Sequence, residues 1–213
     1  MKYVKMLALA AVAAGALMAF IGAGTASATE LCSTTLAPGA CPAAQKVTGA
    51  LVFSLSEGTS ALLKETGAEG GTLDTCKTSE VGGEITNSGS STTTVTGSIN
   101  KLTWGSCTFP TTTTVTGGLE CHKITGTSNC TLTADGVTKV TINTVFFGSC
   151  IFKIEEGQDL GTLVEGKPAT LVVNTVSTKV SGGVACPETT LWSANYTLTT
   201  PENTTLSVSS SAD

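Results

Sequence analysis

Ile99–Phe109 reads INKLTWGSCTF, and 43 positions later Ile142–Phe152 reads INTVFFGSCIF. Both copies alternate side chains with a period of two and then reach Gly-Ser-Cys. This pattern predicts a half-buried strand that runs into a turn and a disulfide-bonded cysteine. The side chains on the two predicted inward faces are Asn100, Leu102 and Trp104, and Asn143, Val145 and Phe147. We therefore predict two paired core strands of one fold, in which each inward asparagine caps a neighbouring turn or strand edge.

The first 28 residues have the features of a secretory signal peptide. Two lysines precede an apolar run over 6–23, and a small-x-small cleavage site ends at Ala28. Residues 29–31 lack the small side chains expected before a lipidated cysteine, so a soluble product is favoured over a lipoprotein. No later apolar run reaches the roughly 18 to 20 residues that span a bilayer. We predict a secreted protein, extracellular or associated with the cell envelope, without stable membrane insertion unless the signal peptide stays uncleaved.

The mature part, 29–213, has a length that suits one domain with a single core. Within it, 29–46 is predicted to be an N-terminal loop stapled by a disulfide, and 209–213 a flexible C-terminal tail. The chain is rich in threonine, serine and glycine and only 13% charged. Regular alternation of Val, Ile, Leu and Phe argues against disorder. About ten short strands without any sustained helical period predict an all-β fold, an antiparallel β-sandwich or, alternatively, a β-barrel-like arrangement.

Three local patterns complete this prediction. Asp135-Gly136 between two alternating runs predicts a β-hairpin. The stretch Cys121–Cys130 is predicted to be a polar loop that contains His122, the only histidine of the chain. Leu191–Thr199 is predicted to be a strand with Trp192, Ala194, Tyr196 and Leu198 on one buried face.

Eight cysteines follow the signal peptide, an even number that predicts four disulfides in an oxidising compartment. Pairing in chain order joins Cys32 to Cys41, Cys76 to Cys107, Cys121 to Cys130, and Cys150 to Cys186. The internal repeat suggests a rival scheme, in which Cys121 pairs with Cys150 and Cys130 with Cys186. Sequence alone does not choose between the two schemes.

The C-terminal stretch Cys186–Pro201, CPETTLWSANYTLTTP, is followed by Leu206–Ser209, LSVS. This ending resembles the close of a group of secreted, Thr-rich actinobacterial proteins of unknown function. The Thr-Cys at 75–76 and the Gly-Ser-Cys strand ends are similar in style. The resemblance implies no activity, cofactor or catalytic residue.

Charge makes nucleic acid an unsuitable partner. The chain contains no arginine, and nine lysines against sixteen carboxylates leave the mature part at a net charge of −7. Bidentate recognition of phosphate or guanine uses the guanidinium fork, which this chain lacks. The cysteine spacings match no zinc pattern. We predict no metal and no cofactor.

Few residues point to catalysis. His122 would have to serve any Ser-His or Cys-His mechanism, but no Gly-x-Ser-x-Gly elbow accompanies it. The acidic loop 155–159, with Glu155, Glu156 and Asp159, could serve a glycosidase or bind calcium. The threonine rows are read as soluble outer faces of strands.

We therefore expect a non-enzymatic, exported structural, adhesive or binding module. Its partner would be a component of the cell envelope or an extracellular polymer. The alternative is a secreted hydrolase or carbohydrate-active protein that uses the acidic loop. A third hypothesis, an inhibitor or toxin-like ligand, predicts one long exposed loop within 150–186.

Overall fold

The computed structural model describes residues 29–33, 41–66, 70–90, 93–115, 117–124, 129–144, 148–200 and 207–210. In chain order its strands are β1 (Thr29–Cys32), β2 (Gly49–Leu55), β3 (Ala61–Glu65), β4 (Thr72–Asn87), β5 (Val95–Cys107), β6 (Thr111–Val115), β7 (Gly118–Lys123), β8 (Cys130–Asp135), β9 (Thr138–Thr144), β10 (Gly148–Ile154), β11 (Asp159–Val164), β12 (Thr170–Ser181), β13 (Thr189–Thr199) and β14 (Ser207–Ser210). The only helical element in these ranges is a 3-10 turn, Ala43–Gln45. The all-β, antiparallel prediction is confirmed. Nowhere in the described ranges is there a helix with the length and hydropathy needed to cross a bilayer.

Eight of the strands form four collinear pairs, and each pair acts as one strand with a short interruption. β2 and β3 both lie between β4 and β13. β8 and β9 together lie between the β6–β7 pair on one side and the β10–β11 pair on the other. Both β10 and β11 pair with β12. The twelve strands from β2 to β13 therefore act as eight longer strands.

These eight strands form a closed ring in which each one pairs with the next along the chain. β5 pairs with β7 along Val95–Ser98, and Thr113 Oγ1 of β6 donates to the Leu102 carbonyl of β5 at 2.5 Å. The ring closes where the last strand, β13, pairs with β2 and β3, for example Tyr196 with Leu55. One continuous antiparallel sheet therefore encloses the core.

Side chains fill the interior of the ring. The predicted inward face of β13 is confirmed, because Trp192, Ala194, Tyr196 and Leu198 are all buried. Phe152 on β10 is fully buried as well. The interior of an eight-stranded ring is just wide enough for packed side chains. Consistent with this, two apolar voids inside the ring have volumes of only about 30 Å³ each.

A short ribbon of β1 and β14 packs against one end of the ring. Leu31 N–H donates to the Ser88 carbonyl, and Val47 N–H donates to the Leu31 carbonyl. The Glu30 carboxylate is buried and accepts hydrogen bonds from Lys46 Nζ at 2.8 Å and from the Cys41 amide at 2.7 Å. The buried Glu30 carboxylate is therefore satisfied by an ion pair with Lys46 and by a backbone hydrogen bond. β14 includes positions 209 and 210, so the first two residues of the predicted C-terminal tail form part of a strand.

The hairpin predicted at Asp135-Gly136 is wrong. β8 and β9 continue in one direction, and the hairpin forms instead between β7 and β8, from Gly118 opposite Asp135 to Lys123 opposite Cys130. Gly136 has φ 135°, and a Cβ on Gly117, between β6 and β7, would lie 2.6 Å from the Gly136 Cα. The glycines therefore allow a close approach of two interrupted strands rather than a reversal of the chain.

The loop predicted over Cys121–Cys130 is also wrong at its start. Residues 121–123 belong to β7, so His122 lies on a strand, and only 124–129 connect β7 to β8. β7 is extended because Leu119 and Cys121 alternate inward with outward Glu120 and His122.

The inward positions assigned to the repeated asparagines are wrong in both copies. In β5 the pairing with β4 shifts between Gly82–Lys101 and Gly83–Ile99, so Asn100 is the extra residue of a bulge and is exposed. In β9 the buried residue is Ile142, and its neighbour Asn143 accepts a hydrogen bond from the Ser149 hydroxyl at 2.6 Å. The predicted core positions Val145 and Phe147 lie outside the described residues.

The two repeat copies also occupy different structural settings. The first is one continuous strand, β5, which pairs with β4 and β7. The second spans the end of β9 and the start of β10, which pair with each other from Thr144–Gly148 onward. β5 and β9 share no ladder, so the prediction that the copies pair with each other is wrong.

Four disulfides join the cysteines in chain order: Cys32–Cys41, Cys76–Cys107, Cys121–Cys130 and Cys150–Cys186. Two of them link neighbouring strands directly, since Cys76 lies opposite Cys107 on β4 and β5, and Cys121 and Cys130 close the β7–β8 hairpin. The rival scheme derived from the repeat is not the pairing in this fold.

Candidate functional site

An opening in the wall of the ring lies where β2 gives way to β3. Residues 56–60 form an insertion there that includes a turn at Gly58, with φ 73°. β2 pairs with β4 along 80–85 and β3 pairs with it along 72–76, so 77–79 have no ladder partner on this side among the described strands. The insertion therefore leaves a gap in the sheet between β4 and the β2–β3 pair.

A groove of about 380 Å³ occupies this gap and is open to solvent. We call it the Trp104 groove. It is lined by Ser54, Leu55, Lys77, Thr78, Ser79, Glu80, Thr103, Trp104 and Gly105. Three of these residues, 103–105, belong to the first repeat copy, so the repeat forms one wall of the groove.

An aromatic cluster lies at the base of this groove. Trp104 is half-buried and contacts Trp192 edge to face, with ring centroids 5.4 Å apart. Trp192 in turn contacts Tyr196 edge to face at 6.2 Å. The Tyr196 hydroxyl is hydrogen-bonded to Ser79 Oγ at 2.8 Å. Such edge-to-face pairs stabilise a fixed ring arrangement, so the indole of Trp104 is held rigidly at the wall.

Burial dominates the chemistry of Tyr196. Removal of the phenol from water raises its pKa far above the ordinary value, and the nearby Ser79 and Trp192 side chains offset this only in part. The Trp192 Nε1–H lies near the phenol but falls short of hydrogen-bond geometry. The Trp104 Nε1–H is likewise buried without an acceptor in the described part of the chain. The neutral phenol therefore has a structural role.

Opposite charges balance at the rim of the groove. Lys77 is exposed on β4, and Glu80 lies three positions further along the same strand. The Glu80 carboxylate accepts a hydrogen bond from Lys101 Nζ at 2.7 Å in an exposed ion pair. The lining residues thus include one cation and one anion, together with four hydroxyl groups. Hydroxyl groups both donate and accept hydrogen bonds, so this wall suits an uncharged polar ligand.

His122, the only histidine of the chain, is exposed on β7. Its Nε2 lies 3.2 Å from Glu120 Oε2, which is two positions earlier on the same outward face. The flanking Cys121 is in a disulfide. Among the described contacts of His122 there is no serine or cysteine nucleophile.

The acidic loop 155–159 does not converge on one point. Glu155 pairs with Lys153 at 2.5 Å, and Asp159 accepts a hydrogen bond from the Thr133 hydroxyl at 3.3 Å. Its three carboxylates do not form a group of potential metal ligands within 4.8 Å of one another. Glu155 instead lines a second open groove of about 440 Å³, in which the charged neighbours are Lys139 and Lys153.

One group of potential metal ligands occurs in the described ranges: Asp74, Cys76 and Cys107. Both sulfur atoms belong to the same disulfide. The buried Asp74 carboxylate accepts hydrogen bonds from the amides of Thr75 and Phe109 and from the Thr111 hydroxyl. Asp74 therefore holds the turn between β5 and β6 in place.

The region 150–186, proposed for a long exposed loop, consists mainly of β10, β11 and β12. Its connections are short, as in the rest of the ring.

Sequence reasoning missed the Trp104 groove because it assigned Trp104 entirely to the core. The available signal was a break in alternation, since Lys77 and Thr78 are consecutive polar residues between inward Cys76 and Ser79. Comparisons of the chain with protein-family models, with curated proteins and with solved structures each find no match.

Proposed function

We propose that this chain is an exported, non-enzymatic binding module that holds a component of the cell envelope or an extracellular polymer in its Trp104 groove. The observation that carries the proposal is the groove itself. A half-buried indole lies beside the hydroxyl groups of Ser54, Thr78 and Thr103 in an opening of the sheet. Binding sites commonly combine an apolar surface with a few polar groups on a preformed scaffold.

Export is supported by the signal-like first 28 residues and by four disulfides, which persist in oxidising compartments. A role in binding at the surface, rather than in carrying a ligand inside the ring, is supported by the filled interior. Voids of about 30 Å³ hold little more than a water molecule. The Trp104 groove, at about 380 Å³, falls within the size range of ligand sites, roughly 300 to 1,000 Å³.

Sedimentation tests this proposal. The purified, oxidised mature protein would be mixed with washed cell envelopes, and separately with insoluble extracellular polymer, from the organism that produces it. Thr103→Tyr places a large ring in the groove while keeping a residue suited to an exposed strand. Thr178→Tyr, at an exposed position on β12, is the matched control.

We expect the wild-type protein and Thr178→Tyr to sediment equally with one of the two materials, and Thr103→Tyr to remain in the supernatant. Equal sedimentation of all three proteins would refute a role for the groove. Failure of the wild-type protein to sediment with either material would overturn the proposal.

A further inference from the structure

We infer that the ligand of the Trp104 groove is a neutral sugar residue within a longer saccharide. This inference rests on the proposed function and adds the chemical class of the ligand. It is carried by three features of the groove: the pairing of its indole with hydroxyl groups, the balance of charge in its lining, and the short run of unpaired backbone beside it.

The first feature is the pairing of one aromatic ring with several hydroxyl groups. A pyranose has apolar C–H faces and a rim of hydroxyl groups, so it needs an apolar plane on one side and two-way hydrogen-bonding partners around it. Trp104 supplies the plane, and its contact with Trp192 fixes the orientation of the ring. Ser54, Thr78 and Thr103 supply hydroxyl groups along the same opening. The arrangement therefore matches the two kinds of surface that a sugar presents.

The second feature is the balance of charge. An anionic ligand would face the Glu80 carboxylate, and a cationic ligand would face Lys77. Glu80 is paired with Lys101 in an exposed ion pair. Lys77 and Glu80 leave the lining without a net formal charge, so it does not favour an anionic or a cationic ligand over a neutral one. A neutral ligand can accept a hydrogen bond from the Lys77 ammonium group.

The third feature limits the alternative of an extended peptide. Strand addition needs a run of unpaired backbone at a sheet edge. Here only residues 77–79 of β4 lack a ladder partner on the side of β2 and β3, within the strands that the structure describes. That length accommodates one sugar residue more readily than several residues of an added strand.

Titration followed by NMR tests the ligand class. The mature protein contains two tryptophans, Trp104 and Trp192, so its spectrum contains two indole N–H signals that can be assigned with Trp104→Phe. Four probes would be compared: a set of neutral oligosaccharides built from glucose, mannose, galactose and N-acetylglucosamine; oligogalacturonate; inorganic phosphate; and an unstructured threonine-rich peptide. Each would also be added as a competitor in the sedimentation assay.

We expect at least one neutral oligosaccharide to shift the Trp104 signal and to release the protein from the sedimented material. Thr103→Tyr should abolish the shift, and Thr178→Tyr should keep it. Trp104→Phe, which retains an aromatic ring, should weaken binding about three- to tenfold.

The outcomes separate the two proposals. Groove-dependent sedimentation together with shifts from oligogalacturonate, phosphate or the peptide only would overturn the neutral sugar and leave the binding function intact. Groove-dependent sedimentation with no shift from any probe would also overturn the neutral sugar. Loss of both sedimentation and shifts would overturn the inference and the proposed function together.

Discussion

Replacing Gly105 by alanine should leave the free energy of unfolding nearly unchanged only when the side chain opposite it, Thr78, is shortened. A Cβ added at Gly105 would lie 2.4 Å from Thr78 Oγ1 but 3.8 Å from Thr78 Cβ, which is an ordinary contact. The backbone of Gly105 is outside the left-handed region, so the hydroxyl contact is the main obstacle. We expect Gly105→Ala to lower the free energy of unfolding by about 1 to 2 kcal/mol, because overpacking typically costs about 1 to 3 kcal/mol and a hydroxyl can partly rotate away.

Thr78→Ala removes the hydroxyl group and should by itself change stability by no more than about 0.5 kcal/mol, since Thr78 is exposed. In the double variant the clash is absent, so most of the loss caused by Gly105→Ala should be recovered. Urea unfolding of the oxidised mature protein, followed by tryptophan fluorescence, would give the coupling energy of this cycle.

Gly148, the glycine of the second repeat copy, provides the control. It has φ 73° and no atom within 4 Å of an added Cβ, so Gly148→Ala should cost about 1 to 2 kcal/mol through its backbone conformation. Thr78→Ala should leave that loss unchanged. If Thr78→Ala rescues neither variant, the close contact is not the reason for a glycine at position 105, and the reasoning fails.

Two further predictions concern pH and the disulfides. Burial raises the folded-state pKa of Tyr196. The free energy of unfolding should therefore be fully retained below the unfolded-state pKa of about 10 and should fall as the pH rises above it. Urea midpoints measured against pH should show this alkaline decline in the wild-type protein, and Tyr196→Phe should lose it. Replacing Cys150 and Cys186 by serine should lower the free energy of unfolding by about 1 kcal/mol more than replacing Cys121 and Cys130 by serine. The reason is that the first disulfide closes a loop of 36 residues and the second a loop of 9. Equal losses in urea unfolding would contradict this loop-length argument.

The alternation of side chains within a single strand was sufficient to predict the buried face of strands without a bulge. β13 alternates without a break, so its buried face from Trp192 to Leu198 follows from the sequence alone. The same applies to β12, where Leu171 and Val173 are buried and Val172 is exposed. Side-chain period two decides facing wherever the ladder has no bulge.

Features that depend on the partner strand could not be read from one segment. The bulge at Asn100 exists because β4 shifts register at Gly82 and Gly83, which are far away in the chain. Asp135-Gly136 has the composition of a hairpin turn, but here its backbone packs closely against Gly117 and the chain does not reverse. A turn signal therefore identifies a special backbone conformation without specifying whether the chain reverses.

The candidate site was hidden for the same reason. Trp104 has the spacing of a core residue, and its half-burial depends on an insertion at 56–60 that opens the wall beside it. No local pattern relates those two segments. The individual residues of the groove were readable from the sequence, but their convergence was not.

Closure of the ring also dictates the order in which this protein can fold. Most neighbouring strands are adjacent in sequence and can pair early, because short loop closures have a low entropic cost. The closing ladder is different, since Tyr196 must find Leu55 across almost the whole domain. A chain interrupted before β13 would leave β12 and the β2–β3 pair as two unprotected sheet edges, which are templates for aggregation. The last long strand is thus the one whose loss should make the protein prone to self-association.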